Sequence, residues 1–127
     1  MAKREILFRG KVKGTGEWVY GNLIHRVDEI HVQESNELYI SDYICEFDAV
    51  CLEYEVDSDT VGQYTGLKDK KGKKIFEGDI LNVDFLDGTR TVSYCKDGFV
   101  CEAANVISYD LHNVYKDCCV IGNIHEN

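Results

Sequence analysis

Ile80-Leu81-Asn82-Val83-Asp84-Phe85-Leu86-Asp87-Gly88-Thr89-Arg90-Thr91-Val92-Ser93-Tyr94-Cys95-Lys96-Asp97-Gly98-Phe99-Val100-Cys101-Glu102 is the most legible stretch of the chain. Leu81, Val83 and Phe85 alternate with polar residues, the period of a half-buried strand. Asp87-Gly88 and Asp97-Gly98 then separate two more short runs, Arg90 to Cys95 and Phe99 to Glu102. Asp-Gly between alternating runs is a strong hairpin signal, because both residues tolerate the backbone of a tight turn. The stretch predicts a three-stranded antiparallel meander.

The same β lettering extends outward. Cys118 to Ile124 can close the meander, and Ala103 to Tyr115 has room for one helical turn. Upstream, Glu77-Gly78-Asp79 reads as a structural turn in which Asp bonds neighbouring amides. At the N-terminus, Glu5 to Val12 and Glu17 to His25 form a hairpin around Lys13-Gly14-Thr15-Gly16, with Gly21 a bulge. Residues 27–33 fit neither period well. Ser35-Asn36-Glu37 reads as a turn, Leu38 to Phe47 as a strand, and Val50, Leu52, Tyr54 and Val56 as an alternating strand. The apolar phase slips at Asp48-Ala49, which places a turn or bulge there. A helix over 42–54 competes, but the density of Val, Ile, Tyr and Phe favours strands. Asp57-Ser58-Asp59-Thr60 reads as a capped turn. The expected fold is mainly β (β-rich α+β). An N-terminal antiparallel β part over residues 1–62 joins a C-terminal SH3-type barrel over 63–127, the two forming one compact unit.

The 127 residues carry 23 Asp+Glu against 14 Lys+Arg, a net charge of −9, with no proline and six cysteines. A chain this long can bury a core without staples. No run reaches the ~18 apolar residues of a membrane helix. Residues 1–6 turn polar too soon for a secretory signal. The expectation is a cytoplasmic protein without a membrane partner, its cysteines buried thiols. No C-x2-C pair marks a zinc site. Cys45 with Cys51, and Cys95 with Cys101, are six residues apart, an offset that puts both side chains on one face of a straight strand.

The charge is segregated. Residues 27–67 hold eleven carboxylates, Glu53 and Glu55 among them, and no Lys or Arg. Lys68, Lys70, Lys71, Lys73 and Lys74 follow at once, interrupted by Asp69 and Gly72. The plain reading is a solvated face beside a solvated loop. The sharper one is that the lysines compensate the acidic segment, within a chain or between chains. Between chains, a contact of two unlike surfaces gives head-to-tail assembly. Trp18, Tyr20 and Tyr64 belong either to the core or to an aromatic contact platform. These residues, with the five lysines and Glu53 and Glu55, form the candidate interaction surface.

No catalytic residue, cofactor or metal is expected. His25, His31, His112 and His125 are scattered and lie in no motif that would serve a Ser, Cys or Thr nucleophile. Asp57-x-Asp59 lacks the other ligands of a calcium loop, and the Gly pairs lack the strand-to-helix setting of a phosphate cradle. Net charge argues against binding a phosphate backbone.

Two motifs carry a family resemblance. Phe8-Arg9-Gly10-Lys11 followed by Gly16-Glu17-Trp18-Val19-Tyr20-Gly21 is one. Thr60-Val61-Gly62-Gln63-Tyr64-Thr65-Gly66-Leu67-Lys68-Asp69-Lys70-Lys71-Gly72-Lys73-Lys74-Ile75-Phe76-Glu77-Gly78-Asp79-Ile80 is the more specific. With the ending Val120 to Asn127, they resemble the YopX family of bacteriophages and prophages. The resemblance is strong at 60–80 and weak at 27–50. Ser58 departs from a frequent Pro, which a turn tolerates. It implies a two-part fold ending in an SH3-type barrel, and it brings no established activity and no catalytic positions. The expectation is therefore a non-enzymatic protein-interaction or assembly module, a homo-oligomer with a possible host protein partner. The alternatives are an acidic DNA mimic that interferes with a host protein and, less favoured, nucleic-acid binding through residues 68–74.

Overall fold

The computed structural model describes residues 5–46 and 52–126. The chain is mainly β: 60% of the described residues are strand and 8% helical. It divides into two compact units, one of residues 6–62 and one of residues 1–5 with 63–127. Among the described residues no helix is long and apolar enough to cross a membrane.

In the first unit four strands run β1 (Phe8–Lys11), β2 (Trp18–Val32), β3 (Ser35–Cys45) and β4 (Glu53–Val56), ordered β4-β3-β2-β1 and antiparallel throughout. Val19, Ile44 and Val56 form the core, with Phe8, Val12, Leu23, Tyr54 and Val61 packed against it. A 3₁₀ turn, Ser58–Thr60, follows β4. Thr60 Oγ1 donates to the Asp57 carbonyl at 2.6 Å and accepts the Lys11 amide at 2.9 Å, tying this capped turn to β1.

Two glycines set the thickness of this unit. A Cβ on Gly10 would lie 3.0 Å from Val56 carbons, and one on Gly21 would overlap the Cys45 carbonyl. Gly21 pairs with Phe8 in an unshifted register, so it serves close backbone approach rather than the expected bulge.

β2 and β3 are far longer than expected. They pair without a break from Asn22↔Cys45 to Val32↔Ser35, and Gln33 and Glu34 alone make the turn. Gln33 takes φ 55°, which lets a two-residue connection work without glycine. Ser35, Asn36 and Glu37 are therefore strand residues, not the expected turn. The expected slip at Asp48-Ala49 lies outside the described residues. β1 covers β2 only over 18–21, and β4 covers β3 only over 42–45. Beyond them the two strands run on as a ribbon of roughly 23 Å, at about 3.3 Å per residue. Residues 25–40 are all exposed.

The second unit begins with β5 (Gly62–Lys68) and β6 (Lys74–Phe76), a hairpin across the lysine-rich turn. A five-stranded sheet follows, ordered β10 (Tyr109–Asp110), β9 (Gly98–Glu102), β8 (Thr89–Cys95), β7 (Asp79–Val83), β11 (Cys118–Asn123). The meander is present. Leu81, Val83, Val92, Cys101, Leu111, Val114 and Cys118, with Ile75, form its core. β7 stops at Val83, so Phe85 is a loop residue and exposed. At the β6–β7 turn Gly78 takes φ 90° and Asp79 Oδ2 accepts the Phe76 amide at 2.7 Å.

The expected SH3-type barrel is not closed. β10 and β11 stand at opposite edges of the sheet and are not paired with each other among the described residues. β10 has two residues, and two 3₁₀ turns, Leu111–Asn113 and Tyr115–Asp117, carry the chain from it to β11. Those turns supply Leu111 and Val114 to the core where further strand would otherwise sit.

Of the cysteines, Cys101 and Cys118 are the expected buried thiols, while Cys45 and Cys95 differ from expectation. Cys45 is disulfide-bonded. Cys95, Cys101, Cys118 and Cys119 are free, and Cys95 is exposed. Cys95 and Cys101 lie on different strands, so their offset of six carries no shared face; Cys95 stands at the end of β8 opposite Gly98. Burial pushes the Cys118 thiol up to about 12, with Asp69 and the neighbouring thiols acting in the same direction.

The glycine contacts give the first prediction. Gly21→Ala should lower stability by about 2–3 kcal/mol, as an overpacked site does. Gly14→Ala, at φ 88° with open space around it, should cost only about 1 kcal/mol of backbone strain. Urea denaturation of both variants checks the ranking.

Candidate functional site

The candidate residues divide between two surfaces and two supporting contacts. Trp18 is half-buried opposite Lys11 in the β1–β2 pair, and exposed Tyr20 stands opposite Arg9. The Arg9 guanidinium lies 4.7 Å and the Lys11 ammonium 5.5 Å from the Trp18 ring centroid. Directly opposed residues share a face, so Trp18 and Tyr20 form one aromatic–cation face. Tyr64 belongs to the other unit. It is buried against Phe76, ring centroids 5.5 Å apart, under the Lys74 ammonium at 5.2 Å. Burial raises its hydroxyl pKa.

Glu53 and Glu55 brace the base of the ribbon. Glu53 pairs with Arg26 at 2.9 Å, and Arg26 also lies 4.6 Å over the Tyr43 ring. Glu55 pairs with Lys13 at 3.1 Å. Next to them His25 Nδ1 meets Asp42 at 2.6 Å. The hydrogen bond from His25, and a second from Ser58, hold the Asp42 carboxyl below its usual range.

Above this base the acidic segment is unbraced. Asp28, Glu29, Glu34 and Glu37 form no ion pair among the described residues. The ribbon is not polar throughout. Val27 pairs with Ile40, and Glu29 with Leu38, on the face that continues from the core pair Leu23–Ile44. Val27, Ile40 and Leu38 are 54%, 57% and 70% exposed. Ile30, Val32 and Tyr39 are exposed on the other face. The β-branched residues of 27–32 hinted at a strand. What hid it was the lack of a buried side, and therefore of a clean period.

The lysines surround a buried carboxylate. Asp69 is 6% exposed. Its Oδ1 accepts the Lys71 and Lys73 amides, each at 2.9 Å, and its Oδ2 accepts the Val120 amide of β11 at 2.9 Å. The Asp69 amide donates to the Lys73 carbonyl at 2.8 Å, that of Gly72 to the Asp69 carbonyl at 2.9 Å, and that of Lys70 to the Cys118 carbonyl at 3.0 Å. Gly72 supplies φ 84°. The turn is therefore fixed by its backbone, and its lysine side chains point outward from a rigid loop. Lys70 pairs with Asp84 at 2.7 Å and Lys74 with Glu5 at 2.8 Å. Lys68, Lys71 and Lys73 are exposed and have no ion-pair partner among the described residues.

Other chemistry has less to work with. His31 Nδ1 meets Asn36 across the ribbon at 2.8 Å, and His112 lies beside Tyr115. Among the described residues no group of three or more His, Cys, Asp or Glu is placed to hold a metal ion.

Asp69 gives a prediction with a defined sign. Burial alone would raise its pKa, but the Val120, Lys73 and Lys71 amides and the Lys73 charge outweigh burial and lower it. A lowered folded pKa adds stability above the unfolded value of about 3.9, and that stability is lost as pH falls through the folded pKa. Asp69→Asn keeps one acceptor oxygen for three amides and should cost about 2 kcal/mol at neutral pH. In urea titrations the gap between the two proteins should narrow once the pH drops below about 4.

No curated protein matches the chain. Among solved structures it is similar to protein EF1440 from Enterococcus faecalis, with 24% identity, 98% of this chain and 96% of that one covered, and a TM-score of 0.53. That likeness is one of fold. The YopX protein family matches residues 7–127, nearly the full length and including both motifs singled out in the sequence, and the chain therefore belongs to the YopX family.

Proposed function

We propose that this chain is a phage or prophage accessory protein of the bacterial cytoplasm that acts through protein contact, without catalysis or a cofactor, and self-associates. One observation carries the reading. The ribbon exposes Val27, Leu38 and Ile40 on one face and Ile30, Val32 and Tyr39 on the other, and residues 25–40 are all exposed among the described residues. A two-stranded ribbon is marginal in water unless something packs on it. Contiguous apolar side chains on an uncovered element are the mark of a contact surface.

The acidic-decoy alternative has less support. A decoy needs a stripe of charges spaced like phosphates. Glu29 instead lies on one face of the ribbon and Asp28 and Glu37 on the other, while Asp42, Glu53 and Glu55 are held by His25, Arg26 and Lys13. Nucleic-acid binding by the lysines is weakened in turn, because Lys70 and Lys74 are already paired with carboxylates.

Sedimentation or light scattering at micromolar protein tests the proposal. Screening reaches about 30 Å at 10 mM salt and about 8 Å at 150 mM. An assembly held partly by charge should exceed the monomer mass at low salt and weaken as salt rises. A strict monomer at low salt would overturn the proposal.

A further inference from the structure

We infer that the acidic ribbon of one copy receives the lysine-rich 68–74 turn of a second copy. This rests on self-association as proposed above and adds which surfaces meet. Residues 27–40 carry four carboxylates, Asp28, Glu29, Glu34 and Glu37, and no Lys or Arg. Two ribbons packed on each other would gather eight carboxylates without a cation, so like-with-like pairing of ribbons is opposed by charge. The densest segment of opposite sign is the 68–74 turn, where Lys68, Lys71 and Lys73 are exposed and form no ion pair among the described residues.

That turn is suited to be the inserted part. Asp69 holds its backbone through three amide hydrogen bonds, so little ordering is left to be done on binding. Asp69 also ties the turn to Val120, and the next residue along β11, Ile121, is 57% exposed. The turn thus offers three exposed cations, and an exposed apolar residue follows directly on the strand residue that anchors it. The ribbon offers Val27, Leu38 and Ile40 beside Glu29 on one face, and Ile30, Val32 and Tyr39 beside Asp28 and Glu37 on the other. Charge and apolar character match on both sides.

The two surfaces are different patches of the chain, so each copy has one of each. Such a contact is heterologous, and it builds a ring when the rotation between copies closes and a linear chain when it does not.

Reversed charges test the pairing on the full-length protein. One variant carries Lys68→Glu, Lys71→Glu and Lys73→Glu; the other carries Asp28→Lys, Glu29→Lys, Glu34→Lys and Glu37→Lys. All seven positions are exposed, so circular dichroism should be unchanged. If either reversal disturbs folding, Gln at the lysines and Asn or Gln at the acids replace it. At low salt each reversed variant alone should associate at least about tenfold more weakly than wild type. An equimolar mixture of the two should assemble again, because each ribbon then meets a turn of opposite sign. A reversed variant that assembles like wild type overturns the inference and leaves self-association standing, and so does a mixture that stays monomeric. A monomeric wild-type protein removes both.

Discussion

A two-stranded β-ribbon has two faces and no interior. This constraint governs the first unit, because β2 and β3 outrun the strands that flank them. Where β1 and β4 lie alongside, Val19, Leu23, Ile44 and Val56 find one another and a small core forms. From Arg26 round the turn to Ile40 every residue is exposed. The ribbon is then held by cross-strand pairs, by a two-residue turn, and by charged contacts at its base. Those contacts are placed where the core ends: His25–Asp42 on one face, and Arg26, clamped by Glu53 and stacked over Tyr43, on the other. They fix the direction in which the ribbon leaves its unit, and they leave its outer half to be stabilised by whatever it touches.

The second unit solves the opposite problem. It has a proper core, and its charged turn is built on a buried carboxylate rather than on apolar packing. Asp69 satisfies two amides that a tight lysine-rich turn would otherwise leave to water, and a third that belongs to β11. A buried carboxylate among cations is stabilised by them and holds them in place. The acidic and basic segments of the sequence are thus physically unlike. The acid lies on a surface that lacks cover, and the base lies on a loop that lacks freedom.

Legibility in the sequence followed burial. The meander was readable because Leu81, Val83 and Val92 face a core and alternate with exposed residues, and because Asp87-Gly88 and Asp97-Gly98 advertise their turns. The open sheet was not readable as such, since a short β10 followed by 3₁₀ turns has no period of its own. The ribbon was largely hidden. With both faces wet, nothing forces residues 27–40 into alternation, and Gln33-Glu34 turns the chain without the glycine that would mark it. Of the candidate site, the lysines and acids were plain from composition. The role of Asp69 was not, because its third hydrogen bond reaches Val120, 51 residues away. The fate of Tyr64, buried under Lys74, also needed the fold.

The proposed self-association requires that the exposed ribbon be covered in the working form of the protein. Hydrogen–deuterium exchange read by mass spectrometry, on the full chain in dilute and in concentrated low-salt solution, measures this most directly. Backbone amides that open locally exchange quickly, and packing a surface against them slows the exchange. Peptides spanning residues 25–40 and residues 68–74 should gain protection together as concentration rises, while the meander of β7–β9 does not change. Exchange in the ribbon that is fast and independent of concentration would contradict the proposed self-association.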